Sequence, residues 1–135
     1  MDRHMSTLPR PLNQRGAVKG RQEAHHRASK LAVMQRCRSV CEGCGEGRVL
    51  DWAHAFGRRH IVSEPWCSSP ELTLGLCRQC HRDVDEGIDP NKQQRLRWIC
   101  VTRFAAKHGL PIPSTADHDE LGAIRALVDA VELQP

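Results

Sequence analysis

The chain has 135 residues and a mass of 15.2 kDa, enough for one ordinary domain with short extensions, which excludes a large multidomain enzyme. A mean hydropathy of −0.54 and a hydrophobic fraction of 39% are typical of a soluble chain with a modest core. No stretch approaches the ~18 consecutive apolar residues of a membrane span, and the N-terminus lacks the apolar segment of a secretory signal. We therefore expect no membrane association and a cytoplasmic location.

Seven cysteines and eight histidines are many for this length, whereas aromatic residues make up only 4% of the chain. So few large apolar side chains indicate a core that needs additional support, and a metal ion is the first candidate. In a reducing compartment, cysteines at short regular spacing are metal ligands more often than disulfides, and an odd number cannot pair completely. Zinc is the working hypothesis.

Positive charge is concentrated at the N-terminal end. Residues 1–40 carry nine Lys and Arg against two acidic residues, whereas residues 41–85 carry five against seven and residues 86–135 carry six against seven. Lys and Arg bind the phosphate backbone without reading base sequence, so this distribution favours DNA as the partner. The alternative is a solvated basic tail.

The chain divides into four segments. Residues 1–16, with two prolines and a glycine, are predicted to be a flexible basic arm. Residues 17–40 are predicted to contain a basic amphipathic helix, and residues 41–88 a mixed core. Residues 89–135 are predicted to be a helical pair. The apolar side chains of the basic helix follow helical spacing: Ala24, Ala28, Leu31, Ala32 and Met34 or Gln35.

Within the core the predicted order is knuckle, strand, loop, strand, knuckle, helix. A glycine-rich cysteine knuckle at 41–47 precedes a strand at 48–54, and a polar loop at 55–70 leads to a second strand at 72–76. The second knuckle turns directly into a helix that continues to about Glu86. The predicted fold class is therefore α+β, a small zinc-stabilised core flanked by α-helices.

The C-terminal segment has clear helix signals. Asp89 as N-cap and Pro90 at the first helical position predict a helix over about 91–108, which ends at Gly109. A last helix at about 117–132 is predicted to start from Thr115 or Asp117 as its cap. We expect these two helices either to pack on the core or to form a homodimer surface.

The strongest chemical signal is the pairing of Cys41-x-x-Cys44 with Cys77-x-x-Cys80. Two intervening residues allow both thiolates of a pair to reach one tetrahedral ion, which predicts a structural zinc with four cysteine ligands. Because such a site is closed, the zinc stabilises the fold and takes no part in catalysis. Cys37 is a rival ligand by its position, whereas Cys67 and Cys100 are expected to be ordinary buried or surface thiols.

A second group of polar residues accompanies the zinc ligands. His54 ends the first predicted strand, and His81 follows the last zinc cysteine, with Asp85 four residues further on. In a helix His81 and Asp85 lie on one face and can hold a cation together. A helix with two ligands beside a strand-end histidine suits phosphodiester cleavage, in which neutral His54 takes a proton from water.

This pattern resembles the HNH endonucleases, the zinc-bearing branch of the His-Me finger (ββα-metal) nucleases of phage, restriction and mobile-element proteins. The resemblance covers Cys41 to about Glu86, roughly a third of the chain, and its most specific piece is CRQCHRDVD joined to the upstream CxxC and an Ala-His dipeptide. It implies a ββα-metal core, His54 as general base, and His81 and Asp85 as ligands of Mg²⁺, Mn²⁺ or another divalent ion. It also implies DNA cleavage or nicking in a bacterial or phage-infected cell.

Two positions depart from the family pattern. Ala53 stands where many members have an Asp or His metal ligand, and Asp51, on the same strand face, is the nearest acid. Leu72 stands where the family has the Asn that braces the base, and Glu71 is the adjacent candidate for brace or ligand. These departures keep a second function open, a non-catalytic zinc module that binds nucleic acid or a protein on the same scaffold.

The predicted loop carries candidate substrate-binding residues. Arg58 and Arg59 are expected to contact phosphates beside the cleaved bond, since a guanidinium can hold a phosphate through two parallel hydrogen bonds. His60 is a further candidate, for substrate or as a third metal ligand. The alternative for all three is a solvated surface loop. We expect DNA as the main partner, through phosphate contacts, with a phage or other DNA-processing protein as a further one.

Overall fold

The computed structural model describes residues 12–57 and 62–134. These residues form a mixed α+β structure with four α-helices and one small antiparallel sheet, and the elements in chain order are α1 Leu12–Cys37, β1 Asp51–His54, β2 Thr73–Leu76, α2 Arg78–Asp85, α3 Pro90–Lys107 and α4 Glu120–Glu132. The candidate loop residues Arg58, Arg59 and His60 and the first part of the predicted arm lie outside the described residues.

Helix α1 begins at Leu12 instead of Ala17, so the predicted arm is too long at its C-terminal end. The expected apolar face is also wrong, because Leu31 is 58% exposed and Ala24 and Ala28 are exposed. The buried side chains are instead Ser29, Val33 and Cys37. They follow each other at intervals of four residues and so form one stripe, with which the helix packs on β2 and the turn before it.

The sheet consists of β1 and β2 alone among the described residues, paired antiparallel with Asp51 opposite Leu76 and His54 opposite Thr73. The first strand is three residues shorter at its start than the predicted 48–54. The predicted polar loop contains two short 3-10 helices, Trp66–Ser68 and Pro70–Leu72, and the second of them takes Leu72 out of the predicted strand. Both turns are tied into the core by buried residues.

Gly75 in the middle of β2 is required by close packing. A Cβ atom at this position would lie 2.6 Å from the Cys37 Sγ of α1 and 3.2 Å from Leu50. The backbone of the first knuckle pairs with the same residue, because the Glu42 N–H donates to the Gly75 carbonyl at 3.0 Å. Helix α1, the knuckle and the sheet therefore meet at Gly75.

The C-terminal helices largely follow the prediction. Asp89 caps α3, since its side chain accepts from the Lys92 N–H at 3.0 Å, and the helix ends two residues before Gly109. The cap of α4 is neither Thr115 nor Asp117 but Asp119, which accepts from the Gly122 N–H at 2.7 Å. Helix α3 packs on α2 and the Pro70–Leu72 turn, and α4 packs on α3, so the pair lies against the core.

The core is one apolar cluster that joins all these elements except α1. Its largest fully buried side chains come from β2 and the turn before it, from the segment after β1 and from the C-terminal helices: Phe56, Leu72, Leu74, Leu76, Leu96, Phe104 and Ile124. Among the described residues, the helices are all too short or too polar to cross a membrane.

Candidate metal centre and adjacent cleft

The four predicted zinc ligands come together between the first knuckle and the start of α2. The Sγ atoms of Cys41, Cys44, Cys77 and Cys80 all lie within 4.8 Å of one another. Cys44 is exposed and the other three are buried. Four converging thiols at this separation fit the donor set of a tetrahedral zinc site, so the cluster can hold one zinc ion.

Hydrogen bonds to the sulfur atoms prepare the cluster for negative charge. The Gly43 and Cys77 N–H groups donate to Cys41 Sγ at 3.3 Å each. Burial alone would raise the pKa of the Cys41 thiol, but the N–H groups of Cys77, Cys44 and Gly43 lower it to about 7. Burial and the neighbouring thiols raise the pKa of Cys80 to about 12. The two thiols therefore differ in how readily they lose a proton. A divalent cation would favour deprotonation of both, because it stabilises all four thiolates together.

Lys92 of α3 contacts the cysteine cluster, and no sequence motif indicated this contact. Its Nζ atom lies 3.5 Å from Cys80 Sγ and 2.7 Å from Asp83 Oδ2. The ammonium group places a positive charge beside a centre that would carry four thiolates, and it connects α3 to that centre. The i to i+12 spacing of Cys80 and Lys92 carries no recognisable motif.

The remaining cysteines lie outside the cluster. Cys37, the rival ligand, is buried against Gly75 and the knuckle, and burial raises the pKa of its thiol. Cys100 is fully buried in α3, where burial raises the pKa of its thiol to about 12. Cys67 is buried in the first 3-10 helix and donates to Glu64 at 3.2 Å.

Next to the cluster, β1 and α2 enclose an open cleft of about 730 Å³. Three predicted metal ligands, Asp51, His81 and Asp85, line it together. Asp51 Oδ2 lies 3.1 Å from His81 Nδ1, and Asp85 Oδ2 lies 3.4 Å from His81 Nε2. Asp51 stands at the start of β1, opposite Leu76 of β2. Leu76 is followed directly by Cys77, the cap of α2, so the start of β1 lies beside the first turn of the helix that carries His81 and Asp85.

The three side chains form a row, with a hydrogen bond between Asp51 and His81 and a longer ion-pair contact between His81 and Asp85, and they do not converge on one point. Each imidazole nitrogen of His81 faces a different carboxylate, and Arg78 donates to both oxygens of Asp51, to Oδ2 at 2.8 Å and to Oδ1 at 3.3 Å. The Arg78 guanidinium, followed by His81, keeps the pKa of Asp51 below its ordinary value. In the part of the chain that the structure describes, the four cysteines are the only close ligand group.

His54, the predicted base, is not among the residues that line this cleft. Its ring packs on Trp52, which does line it, with the ring centroids 4.9 Å apart. Its Nε2 atom lies 3.1 Å from the hydroxyl oxygen of Ser68, a residue that sequence reasoning did not select. Glu71 lies on the turn before β2 and does not line the cleft either.

Basic side chains surround the carboxylates of the cleft. Lys30 comes from α1, and Arg78 and Arg82 come from α2. Arg78 is largely exposed and Arg82 is paired with Glu86 at 3.4 Å. The cleft thus presents cations from two helices around an acidic centre.

Comparison of the chain with family models, curated proteins and solved structures found no match.

Proposed function

We propose that this protein is a zinc-stabilised, metal-dependent DNA endonuclease of the HNH type with a ββα-metal core. The observation that carries the proposal is the cleft in which β1 and α2 bring Asp51, His81 and Asp85 together, directly beside the four-cysteine cluster. One zinc ion would join the first knuckle to the start of α2. This link would keep β1 and α2, which carry the three side chains, in fixed positions. The resemblance of residues 41–86 to the HNH family adds to this reasoning.

The proposal assigns three residues of the cleft to a divalent ion, and it assigns His54, which does not line the cleft, to the attacking water. Asp51, His81 and Asp85 would hold Mg²⁺, Mn²⁺ or a similar ion, for which the carboxylate and imidazole donors are suitable. When bound, the ion would stabilise the negative charge that develops on the scissile phosphate and the leaving oxygen. Neutral His54 would take the proton of the attacking water.

The substrate would be held mainly by charge. Lys30, Arg78 and Arg82 at the cleft, together with the basic N-terminal segment, would contact phosphates on both sides of the scissile bond. Arg58, Arg59 and His60 keep their predicted role as further contacts. Because such contacts release counterions, DNA binding should weaken steeply as the salt concentration rises.

A second candidate function is a non-catalytic zinc module that binds nucleic acid. The observation that favours it is the row of ion pairs in the cleft, where Arg78 occupies one side of Asp51 and His81 is engaged at both ring nitrogens. Ala53 also supplies no ligand atom. This alternative predicts DNA binding without cleavage.

A plasmid-nicking assay tests the proposal. The purified full-length chain, with zinc bound, should convert supercoiled plasmid to open-circular or linear DNA in Mg²⁺ or Mn²⁺ and not in a chelator of these ions. His54→Ala should lower the rate by about two orders of magnitude or more, because general-base catalysis contributes about 10²–10⁴-fold. His81→Ala should lower it as well, through loss of the divalent ion.

The matched control is His118→Ala, the same substitution at an exposed histidine before α4, which should cleave like the unsubstituted protein. Full activity in both His54→Ala and His81→Ala would identify a contaminating nuclease and overturn the proposal. Salt-sensitive binding of a labelled duplex without cleavage in any divalent ion would instead support the non-catalytic module.

A further inference from the structure

His54 belongs to a hydrogen-bonded chain that runs through Ser68 to Glu64, neither of which lines the cleft. Its Nε2 atom lies 3.1 Å from Ser68 Oγ, and the Ser68 hydroxyl donates to Glu64 Oε1. Ser68 is fully buried in the first 3-10 helix, whereas the Glu64 side chain is 34% exposed. The chain therefore starts at a partly buried imidazole, passes through a buried hydroxyl and ends at a carboxylate near the surface.

The direction of this chain follows from the charge on Glu64. Burial alone would raise the pKa of Glu64, but hydrogen bonds from Ser68, Cys67 and His26 hold it below its ordinary value, so the carboxylate is ionised at neutral pH. All three partners approach the same oxygen, Oε1. An ionised carboxylate only accepts, so the single proton of the Ser68 hydroxyl is directed at Glu64.

The Ser68 oxygen is left as an acceptor toward the imidazole. His54 must then carry its proton on Nε2 and donate it to Ser68, which places the lone pair of the neutral ring on Nδ1. Packing against Trp52 restricts the ring further, and the 3-10 helix that carries Ser68 is closed by the Ser69 N–H to Trp66 carbonyl hydrogen bond of 3.0 Å.

We propose that Ser68 and Glu64 are positioning residues that select the Nε2–H tautomer of His54 and orient its Nδ1 as the proton acceptor, an inference that rests on the proposed function of His54 as base. The family pattern has its bracing Asn at the position of Leu72, and the adjacent Glu71 is the candidate to replace it. Leu72 is instead a fully buried core residue, and the polar contact to His54 comes from the preceding 3-10 helix.

The proton on His54 Nε2 provides a test that does not depend on activity. In the ¹⁵N-labelled zinc-bound protein, a long-range ¹H–¹⁵N correlation should show one protonated His54 nitrogen, Nε2, with an N–H proton protected from rapid exchange with water. His54→Gln assigns the signals. In Ser68→Ala the protected proton should disappear. In the cleavage assay, kcat of this variant should fall roughly 10-fold with little change in KM, because the orientation of the base is lost while the phosphate contacts remain.

Ser69→Ala is the matched control, since Ser69 is buried beside Ser68 and its hydroxyl has no hydrogen-bond partner among the described residues. It should keep both the protected proton and the activity. Should Ser68→Ala fold poorly, Glu64→Ala changes a partly exposed side chain and should also weaken the protected signal and lower kcat.

The two proposals fail in different ways. A proton on Nδ1 instead of Nε2, or a protected proton and a kcat that are unchanged in Ser68→Ala and Glu64→Ala, would overturn the positioning role. If the unsubstituted protein cleaves no DNA but shows the Nε2 proton and loses it in Ser68→Ala, the tautomer selection holds and the endonuclease proposal is the part that fails.

Discussion

At the residue scale, Glu42 connects more elements than any side chain that the sequence motifs suggested. It lies between Cys41 and Cys44 of the four-cysteine cluster, and its side chain is only 12% exposed. Arg36 of α1 contacts it at 2.8 Å, Arg103 of α3 at 2.6 Å, and the Gly75 N–H of β2 donates to it at 3.0 Å. Arg36 also donates to the carbonyls of the β2 region, so one carboxylate joins two helices, the knuckle and the sheet.

Glu42→Gln should therefore destabilise the protein. Burial alone would raise the pKa of Glu42, but its hydrogen bonds to Arg36, Gly75 and Arg103 lower it, so the charged form is the one that the fold stabilises. Loss of that charge leaves two arginines without their partner. We expect the free energy of unfolding in urea at neutral pH to fall by about 2 kcal/mol, less than for a fully buried pair because both arginines are partly exposed.

The matched control is Glu46→Gln in the same knuckle. Glu46 pairs with Arg48 at 2.7 Å, but both side chains are more than half exposed. Such a surface pair contributes about 0–1 kcal/mol, so the loss should be small. Equal losses in the two variants would show that Glu42 has no special structural role.

At the element scale, the helices are fixed at their ends by short polar contacts and along their length by tertiary packing. Asp89 and Pro90 start α3 as the sequence indicates. Helix α4 starts at Glu120, with its cap two residues after Asp117, because the segment before it turns through hydrogen bonds from Asp117 and His118 N–H to the Ser114 carbonyl. Asp119 has extended backbone geometry, and its side chain accepts from the Gly122 N–H in the first turn of the helix.

A pair of substitutions distinguishes the two candidate caps of α4. Asp119→Ala removes the acceptor of the Gly122 N–H, and we expect it to lower the free energy of unfolding by about 1 kcal/mol. Asp117→Ala should change it by less than about 0.5 kcal/mol, as surface substitutions usually do. Thermal and urea unfolding of both variants measure this, and the opposite order of losses would contradict the observed cap.

At the scale of the whole molecule, the four-cysteine cluster is the point where distant segments meet. Cys41 and Cys44 belong to the knuckle, and Cys77 and Cys80 belong to the start of α2. Lys92 connects α3 to Cys80 of the cluster, and Arg95 of the same helix donates to the Gly43 carbonyl of the knuckle at 2.9 Å. A Cβ atom on Gly43 would lie 2.9 Å from Cys80 Sγ, so the knuckle can approach the helix this closely only with glycine there.

Zinc removal should consequently unfold the sheet and the knuckle. Metal analysis of the purified protein should give about one zinc per chain, and stripping it should lower Tm by at least about 10 °C, since each kcal/mol corresponds to about 4 °C for a domain of this size. Cys44→Ser, at the exposed ligand, should lose zinc. Cys100→Ala, at a buried cysteine outside the cluster, should keep it. Retention of full stability without metal would refute a structural role.

The sequence by itself determined the local features. The two CxxC pairs predicted that four cysteines come together, period and length predicted the two strands and the helices, and Asp89 with Pro90 predicted the start of α3. The i to i+4 spacing of His81 and Asp85 also placed these two side chains in contact. Each of these depends on residues close in the chain or on a motif whose geometry is nearly fixed by covalent reach and hydrogen bonding.

Only the tertiary structure decided which faces and partners these elements use. The buried face of α1 is Ser29, Val33 and Cys37 because that helix packs on Gly75, and its apolar pattern alone pointed to a different face. The contacts of Glu42, the lysine beside the cluster and the Ser68 contact to His54 likewise join residues far apart in sequence. Such contacts depend on how the elements dock, a balance of long-range packing and desolvation that local spacing does not contain.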